Sequence, residues 1–108
     1  MAVNAEMSRG YKFLNLTPNN VNNDVIVSNC PGMLHTLTCN MMPTTAGILN
    51  LYDGVDYTGT LIANITLPNG QADDFVVTTL LFDAKLDTGL YVVGDGTLAG
   101  FDFTVTYI

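Results

Sequence analysis

Phe101-Asp102-Phe103-Thr104-Val105-Thr106-Tyr107 alternates without a break. Side chains of an extended chain point to opposite faces with a period of two. Phe101, Phe103, Val105 and Tyr107 therefore share one face, and Asp102, Thr104 and Thr106 share the other. A second stretch, Tyr11-Lys12-Phe13-Leu14-Asn15-Leu16, also reads as a strand, but Tyr11 and Phe13 oppose Leu14 and Leu16. A strand with apolar groups on both faces is enclosed between layers or covered by a neighbouring subunit.

Between these two, runs rich in Thr, Val, Ile, Tyr and Phe recur with turn residues between them, the pattern of an all-β chain. The expected strands are 11–16, 24–28, 34–39, 48–52, 60–65, 74–82, 90–93 and 102–107. Leu67-Pro68-Asn69-Gly70 presets φ with proline and offers Asn-Gly for positive φ, so it should reverse the chain. Asp53-Gly54 and Asp95-Gly96 have the same chemistry, and Gly59 and Gly89 each follow a threonine just ahead of an apolar run. Helical periodicity is nowhere sustained over the dozen or so residues that a stable helix wants, although one short turn fits residues 80–86. About eight short antiparallel strands imply two packed sheets, an all-β single β-sandwich of jelly-roll-like or immunoglobulin-like connectivity. The chain has no tryptophan, so the core Trp of immunoglobulin domains is missing, which favours the jelly roll. Residues 1–10 read as an N-terminal arm and residues 11–108 as the sandwich domain.

Of the 108 residues 48% are hydrophobic and only 12% charged, against about 25% in an average soluble domain. Ten acids face three bases, Arg9, Lys12 and Lys85, for a net charge of -7. Nucleic-acid binding through phosphate contacts needs clustered Lys and Arg, so no nucleic-acid partner is expected. No polybasic segment points to a membrane surface. The apolar run 75–82 falls far short of the roughly 18 residues of a spanning helix, so no membrane partner is expected. The first ten residues have no basic segment followed by an apolar run, so no secretory signal is expected either. Cys30 and Cys39 are too few for a disulfide framework and read as reduced, partly buried small hydrophobes. Half-apolar composition with few charges leaves apolar surface for another protein to cover, unless threonine and asparagine, nearly a quarter of the chain, cover it.

Chemistry-bearing patterns are sparse. Cys30, His35 and Cys39 have the spacing C-x4-H-x3-C, and a strand over 34–39 would point His35 and Cys39 to one face. A fourth ligand is lacking and the neighbours Leu34 and Leu37 are those of a packed strand, so His35 reads as a half-buried structural residue. Ser8 and Ser28 are the only serines, and neither lies in a nucleophile-elbow pattern. The aspartates sit where turn-forming aspartate is the default. No catalytic residue, metal or cofactor is expected. Tyr52, Tyr57 and Tyr91 could form an aromatic platform, but Tyr52 and Tyr91 read as strand residues with rings in the core and hydroxyls in water. Tyr57, in the loop DGVDYTG, is the expected contact residue.

The order of motifs carries a resemblance. Gly32, the strand with Leu34-His35, Leu51-Tyr52-Asp53-Gly54, Thr58-Gly59-Thr60, Thr88-Gly89-Leu90 and Thr104-Val105-Thr106-Tyr107 together resemble small β-rich virion structural proteins of tailed bacteriophages. The likeness runs from Gly32 to the end and consists of turn and strand punctuation. It implies a capsid decoration (cement) protein in the phage particle, made in the cytoplasm of the host bacterium. Its partners would be the phage major capsid protein and further copies of itself, with a trimer favoured. The expected interface residues are Met1, Val3, Met7, Arg9, Tyr11, Lys12, Phe13 and Tyr57. The competing expectations are a glycan- or receptor-binding module of a head or tail fibre, and a tail or neck subunit.

Overall fold

The structure, a computed structural model, describes residues 10–17, 24–41, 47–67, 78–95 and 101–108. Eight strands account for most of them: β1 (Lys12–Leu16), β2 (Val25–Ser28), β3 (Gly32–Met41), β4 (Gly47–Asp53), β5 (Thr60–Leu67), β6 (Thr78–Leu86), β7 (Leu90–Asp95) and β8 (Asp102–Tyr107). Each expected strand is present, with ends displaced by a few residues. The short turn that residues 80–86 would also fit is not formed. Leu80, Phe82, Ala84 and Leu86 alternate with Thr79, Leu81, Asp83 and Lys85 in burial, so a period of two governs the segment and β6 runs on to Leu86. Residues 74–77 of that expected strand lie outside the described residues.

The strands form two four-stranded antiparallel sheets, β1-β8-β3-β6 and β2-β7-β4-β5. Strand 1 pairs with 8, 2 with 7, 3 with 6 and 4 with 5. This is one long ribbon wound up on itself, the nested pairing of a jelly roll. It decides between the two connectivities left open by the sequence.

Between the sheets lies a core of leucine and a few larger side chains. The first sheet contributes Leu16, Leu34, Leu37, Cys39, Leu86, Phe103 and Val105, and the second contributes Leu49, Leu51, Leu90 and Val92. Phe101 packs edge-on against Phe103, with ring centroids 5.5 Å apart. Burying a leucine fully contributes about 1.5–3 kcal/mol, so this layer holds the two sheets together. The alternation read in β8 is the observed one: Phe103 and Val105 are buried, and Thr104 and Thr106 lie on the other face.

One irregularity matters for the surface. The register of β3 against both neighbours shifts between Leu34 and Thr36. Leu34 and Leu37 are both fully buried, so two residues instead of one lie between consecutive core positions. A β-bulge of this kind re-aims a side chain. Here it turns His35 and Thr36 away from the core, and His35 and Cys39 no longer share a face.

Two tight joints close the ends of the sandwich. Met33 N–H donates to Ile108 O at 3.0 Å and Ile108 N–H to Met33 O at 2.9 Å, which ties the C-terminus onto β3. A Cβ on Gly32 would fall on the Ile108 carbonyl oxygen, so only glycine permits this approach. At the other joint, Asp53 at the end of β4 accepts from backbone N–H groups of the β6–β7 turn: Asp87 and Thr88 at 2.9 Å and Gly89 at 3.3 Å. Gly54 N–H returns a bond to Gly89 O at 3.1 Å. These donors hold the Asp53 carboxyl below its ordinary range.

Candidate functional site

The outer face of the first sheet is mostly a hydroxyl and amide surface. Asn15, Thr104, Thr38 and Thr79 lie opposite one another across its four strands. Asn15 donates to Asp102 and to Phe103 O (3.0 Å), and Asn40 donates to Asp102 (3.2 Å) and Thr104 (2.9 Å). The neighbouring row is Phe13, Thr106, Thr36 and Leu81. Its two threonines bond each other through their hydroxyls, while Phe13 and Leu81 on the two edge strands are 72% and 68% exposed. Threonine and asparagine therefore cover the middle of this face and leave its edges apolar.

Above that row, Tyr11 stacks on His35 with centroids 4.0 Å apart and planes 6° from parallel. His35 Nδ1 bonds the Asp83 carboxylate from across the bulge. Asp83 has φ 46 and Asp24 has φ 125. Both are left-handed backbones on a non-glycine residue, a state that surrounding contacts must hold in place.

The outer face of the second sheet has a different character. Ile26, Tyr91, Tyr52 and Leu61 face one another in a single row across β2, β7, β4 and β5. Tyr57 of the β4–β5 loop packs edge-on against Tyr91 at 5.6 Å, and Tyr52 lies at 5.9 Å from the same ring. Tyr91 is thereby buried outside the main core, while Tyr57 is 66%, Ile26 52% and Leu61 50% exposed. The Tyr91 hydroxyl donates to Asp24 at 2.6 Å. Burial first, then the bond to Asp24, pushes the Tyr91 phenol far above its ordinary value.

Acids rim this row. Asp24 touches Tyr91 and Asp56 precedes Tyr57, whereas the Asp53 carboxylate turns away from the face of Tyr52 to the β6–β7 turn. Asp56 accepts from the Thr58 hydroxyl and from the Thr58 N–H at 2.9 Å, which lowers its carboxyl. None of these donors carries a positive charge. Among the described residues the ion pairs are Lys85 with Asp87 at 3.5 Å and His35 with Asp83, so Asp24, Asp53 and Asp56 have no cationic partner there.

Of the expected interface residues, Tyr11, Phe13 and Tyr57 are 45%, 72% and 66% exposed, and Lys12 is exposed beside them on β1. Met1, Val3, Met7 and Arg9 lie outside the described residues. Tyr11, Lys12 and Phe13 belong to the first sheet and Tyr57 to the second, so the structure does not gather them into one site. The sequence reading of Tyr52 and Tyr91 needs correction: Tyr91 gives its hydroxyl to Asp24 instead of water, and the three tyrosines do cluster. The row itself was not legible, because cross-strand register is not written in any one strand. Exposed Leu81 was findable, since Thr79 and Asp83 share its face.

Cys30 and Cys39 are both free thiols. Cys39 is in the core, where burial raises its thiol pKa, but Cys30 is exposed and not partly buried, because Ser28-Asn29-Cys30 leaves the sheet in a turn. With His35 outside and Cys39 inside, the three-ligand arrangement is not assembled. Among the described residues, no three His, Cys, Asp or Glu side chains group as a metal site. Ser28 Oγ donates to Cys30 O at 3.3 Å, not to His35. An open groove of about 440 Å³ runs between Lys12 and Tyr107 on one side and residues 26–30 on the other. Comparison with protein-family models, curated proteins and solved structures finds no match to the chain.

Proposed function

We propose that this chain is a non-enzymatic structural component of a phage particle, a capsid decoration (cement) protein that binds the major capsid protein and further copies of itself. The observation that carries the reading is the placement of apolar side chains on the outside. Phe13 and Leu81 stand 72% and 68% exposed at the two edges of one sheet, and Ile26, Tyr57 and Leu61 stand at 50–66% on the other. A two-layer sandwich can bury only the inner face of each sheet, so these groups are left for neighbours. Jelly rolls build viral capsid domains as well as lectins and cupins, which is support by analogy of fold alone. Residues 1–10 supply a segment that can hook onto a neighbour.

A reconstruction of the particle locating this chain is the direct test. A position on the head lattice supports the reading, and a position in the tail or neck overturns it in favour of a tail subunit. Deleting residues 1–9 and counting copies bound per capsid tests the arm, since unchanged occupancy removes it from the contact.

A second reading draws on one observation, the exposed Tyr57 ring beside Tyr52 and Tyr91. Such a cluster suits a glycan- or receptor-binding module. Glycan-array binding that disappears in Tyr57→Ala would put it first.

A further inference from the structure

We propose that the acid-rimmed tyrosine row of the second sheet receives residues 1–9 of another copy of this chain, with Arg9 seated against Tyr57 and Asp56. The inference rests on the reading of the chain as an assembly component, and it names the surface and the segment through which copies meet.

Charge is the first argument. Two copies that each carry -7 repel over most of their surface. Of the three cations, Arg9 ends the segment and Lys12 stands exposed three residues on, at the start of β1. Asp24 and Asp56 have no described cationic partner. Their donors are the Tyr91 phenol and the Thr58 hydroxyl and N–H, all neutral, so the negative charge stays open to an incoming guanidinium. An arginine also finds a π-face there, because Tyr57 is 66% exposed.

Shape is the second argument. The sequence MAVNAEMSR places Met1, Val3, Ala5, Met7 and Arg9 at alternate positions, with Ala2, Asn4, Glu6 and Ser8 between them. Laid out as a strand, it presents one apolar face that ends in a cation. Across the second sheet, Ile26, Tyr91, Tyr52 and Leu61 span three inter-strand spacings, about 14 Å. With Arg9 over Tyr57, which packs on Tyr91, Met7 two residues back falls about 7 Å further along the row, towards Tyr52 and Leu61.

Connectivity is the third. The segment joins the body at Gly10, at φ 53 with open space around it, immediately before the edge strand of the first sheet. Donor and receiving surfaces therefore belong to different sheets. Contacts between unlike surfaces are heterologous and generate rings where the rotation closes.

A charge exchange on the full-length chain tests this. Arg9→Asp leaves acid facing acid, and Asp56→Arg leaves base facing base, so each variant alone should sediment as a monomer. In an equal mixture each arm meets a surface of opposite sign, and association should return. The wild type should associate reversibly and dissociate as sodium chloride is raised. Tyr57→Ala should weaken association about tenfold. Should Asp56→Arg fail to fold, a synthetic peptide of residues 1–9 titrated into the Arg9→Asp chain should shift the Tyr57 ring resonances.

A wild type that stays monomeric, a mixture that stays monomeric with both chains folded, or an unshifted Tyr57 overturns the contact. Tyr57-dependent glycan binding by a monomer overturns it in favour of a sugar surface. Capsid binding by the same samples separates the two readings. A monomer that still occupies heads removes this contact and leaves decoration standing, whereas an associating chain that binds no head does the reverse.

Discussion

The Asp53 carboxylate accepts the backbone N–H of Thr88 at 2.9 Å, joining the end of β4 to the turn that enters β7. With Asp87 and Gly89 it collects three backbone donors in one place. Charge-assisted bonds of this kind are stronger than neutral ones. Asp53→Ala should lower unfolding free energy by about 1–3 kcal/mol in urea titrations at neutral pH. The carboxyl is lowered in the folded state, so its contribution is complete above the ordinary aspartate value and is lost as pH falls through the folded value. Stability should thus drop more steeply with acid in the wild type than in Asp53→Asn, and parallel curves would remove Asp53 as a cause.

Tyr91 predicts the opposite arm of the pH profile. Its phenol is raised in the folded state, so its contribution is complete below the ordinary tyrosine value and is lost as pH rises through the folded one. Phenolate absorbance should show one tyrosine that ionises only as the chain unfolds. Tyr91→Phe should abolish that late step and should cost about 1 kcal/mol through the bond to Asp24.

Leu37 and Leu81 lie within the same sheet and differ in what covers them. Leu37 is fully buried and Leu81 is 68% exposed. Leu37→Ala should destabilise by about 2–5 kcal/mol, whereas Leu81→Ser should stay within about 0.5 kcal/mol. If the outer face is an interface, Phe13→Ser with Leu81→Ser should leave the melting temperature unchanged but reduce copies bound per capsid. Unchanged occupancy would direct attention to the second sheet.

Gly32→Ala should be among the most damaging single-methyl changes. The added carbon meets the Ile108 carbonyl oxygen, which itself accepts from Met33 at 3.0 Å. A loss on the order of 3 kcal/mol is expected, and removing Ile108 in the same chain should recover part of it.

A thiol reagent should modify Cys30 quickly in the native protein. Cys39 should react only after unfolding, because it is buried and its thiol is held in the unreactive protonated form. Equal native rates would contradict the packing of β3.

The alternation in 101–107 and the punctuation at Asp53-Gly54, Thr58-Gly59 and Thr88-Gly89 made the strands legible, since those signals are local. The same residues turn out to be the joints of the sandwich, with Asp53 binding the turn at Gly89. The two-sided strand 11–16 also announced its exposed face. Three features depend on partners far away in the chain and were not legible. One is the bulge that turns His35 outward, another is the bond from Tyr91 to Asp24, and the third is the row from Ile26 to Leu61. Each is set by which strands become neighbours, and no window of a few residues contains that information.

The nested strand pairing also sets a clock. Asn15 in β1 bonds Asp102 in β8, 87 positions later, so the first strand has no partner until the last has been synthesised. Contacts of such separation close slowly, because loop entropy is lost before the contacts repay it. A nascent chain would hold Phe13 and Leu14 without their β8 partners until residues 102–107 have emerged, whereas the local pair β4 and β5 can form much earlier. Synthesis would then be the most hazardous moment of this protein's life, a point at which its many negative charges keep unfinished chains apart.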